Sequence, residues 1–357
     1  MTKIVSAHHG FVQSTEKRRP VYGSESLTGC ARTRLWNIDG LEISLYLIAK
    51  YDNRTPMSFQ LNRSETVEEA MRRIALEQLD DAVASTKRPA DEQEEAVHTI
   101  RRSCKRLRGL LRLVQGSFSE YRVQNAIIRD GADLLSSARD SAVLLRTNAL
   151  VMSALKDSPG EQRSAEALAA AQSYATSFEP LAAAELTAVL EIVRERLLGV
   201  RNAVPGWTLE ETGFDAFRYG LEATHRRAQR AMKKAMTSLS PALFHEWRKR
   251  VKYHGHHMRL LREVWPSALS ARESTADHLA DLLGKMHDLH VYRTTLTLAP
   301  PAAGADVWTP ALSQVAERLE TGLIAQCTGS GEELFGSSAD ELIRGIKTRW
   351  KHAGFAQ

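Results

Sequence analysis

From Met57 onward, apolar positions recur with a helical period. In MSFQLNRSETVEEAMRRIALEQLDDAVAS, Ile74, Leu76, Leu79 and Val83 form a stripe. Ser64 or Thr66 is placed to cap that helix, with Glu68 or Glu69 in its first turn. After Pro89, an acidic turn leads into a strongly basic helix. YRVQNAIIRDGADLLSSARDSAVLLRTNALV predicts one long amphipathic segment. The alanine-rich stretch from Ser158 to Val200 predicts two helices divided at Pro180, and its alanines allow close helix approach. NAVPGW, Asn202 to Trp207, reads as a joint. FRYGLEATHRRAQRAMKKAM, a second basic helix after Pro241 and STADHLADLLGKMHDLHVYRTTL follow. APPAAGADVWTP predicts a linker, and Ala311 to His352 carries two further helical patterns.

Residues 1–56 lack this period and mix isolated Gly, Pro, His and Trp. They are expected to be an N-terminal extension, poorly ordered or not natively translated, with Met57 the natural start. Composition agrees with a helical body. The chain has 357 residues, 43% hydrophobic and only 6% aromatic, enough for one large core or two smaller ones. A formal charge of +5 is a mild excess, so any basic function must come from clustering. Cys30, Cys104 and Cys327 are odd in number and far apart, which points to a reducing compartment and no disulfide framework. No stretch approaches the roughly 20 apolar residues of a membrane span, and MTKIVSAHHG lacks the layout of a signal peptide. The expectation is a soluble cytoplasmic protein with no membrane partner.

The clustering is concentrated in VHTIRRSCKRLRGLLRLV, Val97 to Val114, which contains no acid. At about 100° per residue, His98, Arg101, Arg102, Lys105, Arg108 and Arg112 fall within an arc of about 120°. Ile100, Cys104, Leu107, Leu110, Leu111 and Val114 take the opposite side. A second helix repeats the arrangement: His245, Arg248, Lys249, Lys252, His256 and Arg259 share one face, and Trp247, Val251, Met258 and Leu261 the other. Like charges at these spacings repel by roughly 0.2–0.5 kcal/mol per pair. Such stripes therefore call for compensating anions, either acidic residues elsewhere in the chain or an external polyanion; the latter is the better account, because guanidinium forks and ammonium groups match phosphate oxygens. Arg226, Arg227 and Arg230 precede the second stripe and are candidates for the same groove. His254, His256 and His257 diverge around their helix, so they do not form a shared metal shell. No phosphate-binding glycine loop, nucleophile elbow or catalytic metal spacing is present.

Aligning His98 with His245 superposes Arg101 on Arg248, Arg102 on Lys249, Lys105 on Lys252 and Arg112 on Arg259. Downstream, Arg139-Asp140 matches His287-Asp288 once the offset changes by one. The chain therefore reads as two copies of one helical unit, 57–200 and 207–355. At these residues it resembles the CHAD family, the conserved histidine α-helical domain. VHTIRRSCKRLRGLLRLV and FHEWRKRVKYHGHHMRLLREVWP resemble the two histidine helices, and LLSSARDSAVLL and LADLLGKMHDLHVYR the segments after them. The resemblance, over 57–352, implies an all-α fold of two antiparallel four-helix bundles related by pseudo-twofold symmetry. It also implies inorganic polyphosphate as the ligand, held in a basic central groove or pore, and association with polyphosphate granules and their proteins.

Carried over position by position, the groove set is His98, Arg101, Arg102, Lys105, Arg108, Arg112, His245, Arg248, Lys249, Lys252 and Arg259, joined by Arg226, Arg227, Arg230 and His256. One departure stands out: Arg106 and Arg108 become Tyr253 and Gly255 in the second copy. The expected function is non-catalytic polyphosphate binding with no cofactor and no metal. Nucleic acid is disfavoured because no aromatic residues interleave the basic stripe for base stacking. An enzyme acting on polyphosphate or triphosphate would need acids to hold Mg²⁺, and the basic faces have none.

Overall fold

A computed structural model describes residues 59–156, 183–298 and 305–355, with short backbone ladders at 37–38 and 41–42. The chain divides into two units, Met1–Asp52 and Asn53–Gln357. In the first, β1 (Asn37–Ile38) and β2 (Leu41–Glu42) pair antiparallel, Asn37 opposite Glu42 and Ile38 opposite Leu41. The expectation of an N-terminal extension otherwise lies outside the described residues, as does the first of the two alanine-rich helices.

The second unit is built of helices joined by short turns. α1 (Val67–Ser85) starts at Thr66, whose hydroxyl accepts from the Glu69 backbone N–H while the Glu69 carboxylate accepts from the Thr66 N–H. This reciprocal box contributes about 1 kcal/mol to the helix start. α2 (Gln93–Leu113) carries the first basic stripe. The next segment is not one helix. α3 (Tyr121–Asp133) ends in a tight turn, with Leu135 N–H bonded to Ala132 O and Ser136 N–H to Asp133 O, and α4 (Ser137–Lys156) leaves in a new direction. The remaining helices are α5 (Ala183–Ala203), α6 (Asp215–Ser238), α7 (Pro241–Leu260), α8 (Pro266–Leu298), α9 (Ala305–Phe335) and α10 (Ala339–His352). The supposed linker is thus helical from Ala305, and α9 accommodates Pro310 in its second turn at the loss of one backbone hydrogen bond.

Burial follows the apolar stripes. α1 packs on α2 and α5, and α3 on the same two helices, around Met71, Ile74, Leu79, Ile100, Leu107, Leu110, Leu111 and Val193. α6, α7, α8 and α9 surround Trp247, Val251, Leu279 and Leu283. α4 touches α2 of the first arrangement but sits mainly on the second. It packs on α8 and α9 through Val151, Leu155, Leu289, Tyr292 and Leu312, and the Tyr292 hydroxyl donates to Asn148 Oδ1 at 2.6 Å. Each such buried side chain contributes about 1.5–3 kcal/mol. The joint at NAVPGW is tied down: Trp207 is fully buried, and its carbonyl accepts from Arg72 Nε at 2.7 Å.

Three fully buried histidines sit in these cores. His257 Nε2 donates to Gly109 O at 3.1 Å, and His225 Nε2 to Ser337 O at 3.2 Å. His254 lies 5.4 Å from the His225 ring, and neither of its ring nitrogens has a hydrogen-bond partner. Burial, the largest cause in each case, pushes His225 down to about 4 and His257 to about 3, and holds His254 well below the usual range. The folded state refuses protons that the unfolded chain takes up below about pH 6.5. Stability is therefore complete at neutral pH and falls as pH drops from about 6.5 towards about 4 and then about 3. The urea midpoint should decline already above the carboxylate range, between about pH 6.5 and 5. A flat midpoint there would contradict this.

Candidate anion-binding site

The two basic helices are distant in sequence and meet in space. α2 and α7 pack directly on one another and come closest at Gly109, where an added Cβ would lie 2.9 Å from His256 Cβ. The hydrogen bond from His257 to Gly109 O fixes the same crossing. Beside it opens a cavity of about 360 Å³. His98, Arg101, Arg102 and Lys105 line it from α2, and Arg248, Lys252 and His256 from α7. The cavity brings these seven expected residues together. Two further charged residues line it that the sequence reading did not single out: Glu94 at the start of α2, and Arg146 from α4. They pair at 3.8 Å, both largely exposed.

Two arginines at matched positions are held in matched ways. Arg101 Nη1 donates to Ala132 O at 2.9 Å and to Ser136 Oγ at 3.1 Å. Arg248 Nε donates to Ala280 O at 3.2 Å. Ala132 and Ala280 correspond under the shifted offset that aligns Arg139-Asp140 with His287-Asp288. Each guanidinium is thus braced by the next helix while it faces the cavity. Gly284 makes room for Arg248, because a Cβ there would lie 2.8 Å from Nη2.

The remaining candidates stand elsewhere. Arg108 Nε donates to Asn125 Oδ1 at 3.2 Å on α3. Arg112 donates to the Tyr121 hydroxyl at 2.8 Å and stacks over the Tyr253 ring at 4.2 Å. Tyr253, the substitution that broke the repeat, therefore serves as a platform for a cation from the other stripe. Arg226 is bound by Glu222 and Asp340, both at 2.9 Å, and Lys249 by Glu246 at 2.6 Å. Arg259 faces Glu273 at 3.7 Å. Arg227 reaches Gln115 at 3.5 Å, and Arg230 is exposed over a shallow depression with Lys233 and Lys234. The His245 ring lies 4.2 Å from that of His287, tilted by 41°, and is not part of the cavity lining. Internal acids thus engage Arg226, Lys249 and Arg259; the Glu222 and Glu246 pairs are local to one helix, whereas Asp340 and Glu273 come from other helices, which no helical wheel reveals.

His256 is supported from below by Phe59, edge-on at 5.8 Å, and Arg106 lies over the same phenyl ring at 5.5 Å. Desolvation first, then Lys252, Arg106, His257 and Arg259, hold His256 well below the ordinary histidine range. Its neighbours His254 and His257 point into other surroundings, so the triplet in HGHHMR divides among three environments. Among the described residues, no group of three or more His, Cys, Asp or Glu side chains is placed to hold a metal ion.

The CHAD-domain family model matches residues 71–297. This chain belongs to the CHAD family. The matched span takes in α2 and α7 whole and α8 to its last turn, and so includes every residue lining the cavity. The crystal structure of the CHAD domain from the plant Ricinus communis is similar at a TM-score of 0.45 and 17% identity, covering 83% of this chain and 97% of that one. Among curated proteins no sequence matches it. No described helix of this CHAD protein is long and apolar enough to cross a membrane. What the sequence reading missed here was supplied by Phe59, Glu94 and Arg146 and by the small residues Gly109 and Gly284. Only the glycines carry a sequence signal, as breaks in otherwise crowded helix faces.

Proposed function

We propose that this CHAD domain binds inorganic polyphosphate, without catalysis, in the cavity between α2 and α7. The observation that carries the reading is the convergence of two cationic helix faces, far apart in sequence, on one cavity. The family is linked in general with polyphosphate and triphosphate binding, and a linear polyanion suits a groove lined from both sides. The contact set is His98, Arg101, Arg102, Lys105, Arg146, Arg248, Lys252 and His256. Arg101 and Arg248, braced on Ala132 and Ala280, form its fixed centre. Their matched anchoring also favours two related helical units, each a four-helix bundle, about a pseudo-twofold axis beside the cavity. Polyphosphate granules, and the proteins on them, are the partners such a module would meet in the cytoplasm.

Among the described residues Glu94 is the one carboxylate in the lining, and Arg146 faces it. One paired carboxylate is a poor base for holding Mg²⁺ against a phosphate chain, which favours binding over hydrolysis. The test is titration of the protein with polyphosphate, alongside a phosphate-release assay with added Mg²⁺. Saturable binding without release supports the reading, and turnover would replace it with an enzyme.

A pH dependence follows. In the free protein His256 is held neutral by burial and by neighbouring cations. A phosphate chain beside it would raise its pKa, so binding takes up a proton and tightens as pH falls below about 6.5. Calorimetry in buffers of different ionisation enthalpy should show this uptake. It should shrink in His98→Gln, His256→Gln, and equal uptake in that variant would rule the two histidines out.

A further inference from the structure

From Ala223 to His245 the chain carries no acid, and Arg226, Arg227, Arg230, Lys233 and Lys234 lie on α6 within that stretch. Arg226 is satisfied by Glu222 and Asp340, and Arg227 reaches Gln115. Arg230, Lys233 and Lys234 are exposed, and among the described residues none of the three stands within ion-pair distance of a carboxylate. With Thr237, Ser238 and Leu243 they line a shallow depression of about 460 Å³. The Thr237 hydroxyl is spent on the Lys233 carbonyl at 2.8 Å. The depression therefore offers a cationic rim over a surface of Leu243 and the aliphatic stems of the cations.

The adjoining turn adds an independent observation. α6 ends at Leu239, left-handed at φ 52°, whose N–H bonds Ala235 O at 2.8 Å. Glycine or asparagine is the usual residue in such a cap, because a larger side chain strains it. The Leu239 side chain is nevertheless 53% exposed, beside exposed Pro241 and Ala242. Folding gains little from a leucine that is both strained and half in water. Glu317 and Glu320, which share a cavity lining with Leu239, are bound by Arg293 and do not answer the α6 charges.

We propose that this face docks an acidic peptide segment of a partner protein, one that carries an apolar anchor among its carboxylates. The carboxylates would meet Arg230, Lys233 and Lys234 at the rim. The anchor would lie in the depression against Leu243, and the segment would cover Leu239. A phosphate chain fits less well, having no apolar group to set against these leucines. None of these residues lines the polyphosphate cavity, so the docking face stands without that reading. With both occupied, the domain would link a phosphate chain to a second protein.

The experiment is fluorescence anisotropy of a labelled peptide in which single leucines separate pairs of glutamates, titrated with the full chain. A second peptide carries serine in place of each leucine. Saturable binding of the leucine peptide is expected, about tenfold or more tighter than that of the serine peptide. Changing Arg230, Lys233 and Lys234 together to alanine should weaken it about tenfold or more. Leu239→Gly should weaken it about threefold, and its fold is not at risk because glycine takes this left-handed cap without strain. The polyphosphate-cavity variant Arg102→Ala, Lys105→Ala, Arg146→Ala, Lys252→Ala should bind the peptide like wild type. No saturable binding, equal binding of the two peptides, or binding kept in the triple variant and lost in the quadruple one overturns the proposal. So does binding to phosphatidylserine vesicles that the triple change abolishes and the leucine peptide cannot displace, which would make the face a lipid site.

Discussion

Alanine at Gly220 is expected to destabilise the domain by about 3 kcal/mol or more, the upper end of overpacking costs. Gly220 is where α6 crosses the last turn of α2. An added Cβ would overlap the carbonyl oxygens of Arg112 and Leu113 and sit 2.6 Å from the Leu113 carbonyl carbon. Those atoms are helix backbone, and backbone cannot rotate away as a side-chain tip can. The helices would have to part, opening the core around Phe217, Leu221 and Leu113. The same separation would pull α6 from α7 and disturb the crossing that sets the cavity. Urea unfolding of Gly220→Ala checks this through the midpoint, with the slope unchanged if the unfolded state is unaffected. A midpoint equal to the wild type would show that α2 and α6 do not approach as described.

The second large effect concerns charge. Arg101 and Arg248 brace helix carbonyls, so removing them mixes binding with packing. Arg102, Lys105, Arg146 and Lys252 line the same cavity beside them. Changing these four to alanine should weaken polyphosphate binding by about a thousandfold. This corresponds to about 1 kcal/mol for each lost charged contact, a conservative figure for hydrogen bonds to ionised groups. The salt dependence should also flatten, by about 3 in the slope of log K against log salt, since four fewer counterions are displaced. Circular dichroism should stay near wild type, because charge contacts that reach solvent, such as Arg146 with Glu94, give little stability. An unchanged affinity in a folded quadruple variant would place the site elsewhere.

Helical periodicity carried most of the fold. Thr66 and Glu69 spell a capping box, the stripes of α2 and α7 name their own buried faces, and Pro241 marks a helix start. Periodicity failed where tertiary contacts override local pattern. DGADLLSSARD reads as continuous helix, yet the chain turns at Leu134–Ser136, where Arg101 takes the Ala132 carbonyl and the Ser136 hydroxyl. The matched stretch lies inside one continuous helix, α8, of 33 residues. The residues of the candidate site were legible to the extent that one face of one helix decides them. Which cations face the cavity depended on acids from other helices: Asp340 for Arg226, and Glu273 for Arg259. Arg146 joined through the departure of α4, which no local pattern announces.

The central claim is that the convergent cations of α2 and α7 hold a phosphate chain. Equilibrium binding of polyphosphate to the full chain, across a salt series and with RNA as competitor, tests it most directly. The account predicts tight saturable binding with a log–log salt slope near −4, as expected for about six phosphate contacts on a flexible polyanion, and RNA competing poorly. Weak binding with no salt dependence, or displacement by RNA at equal charge, would contradict it.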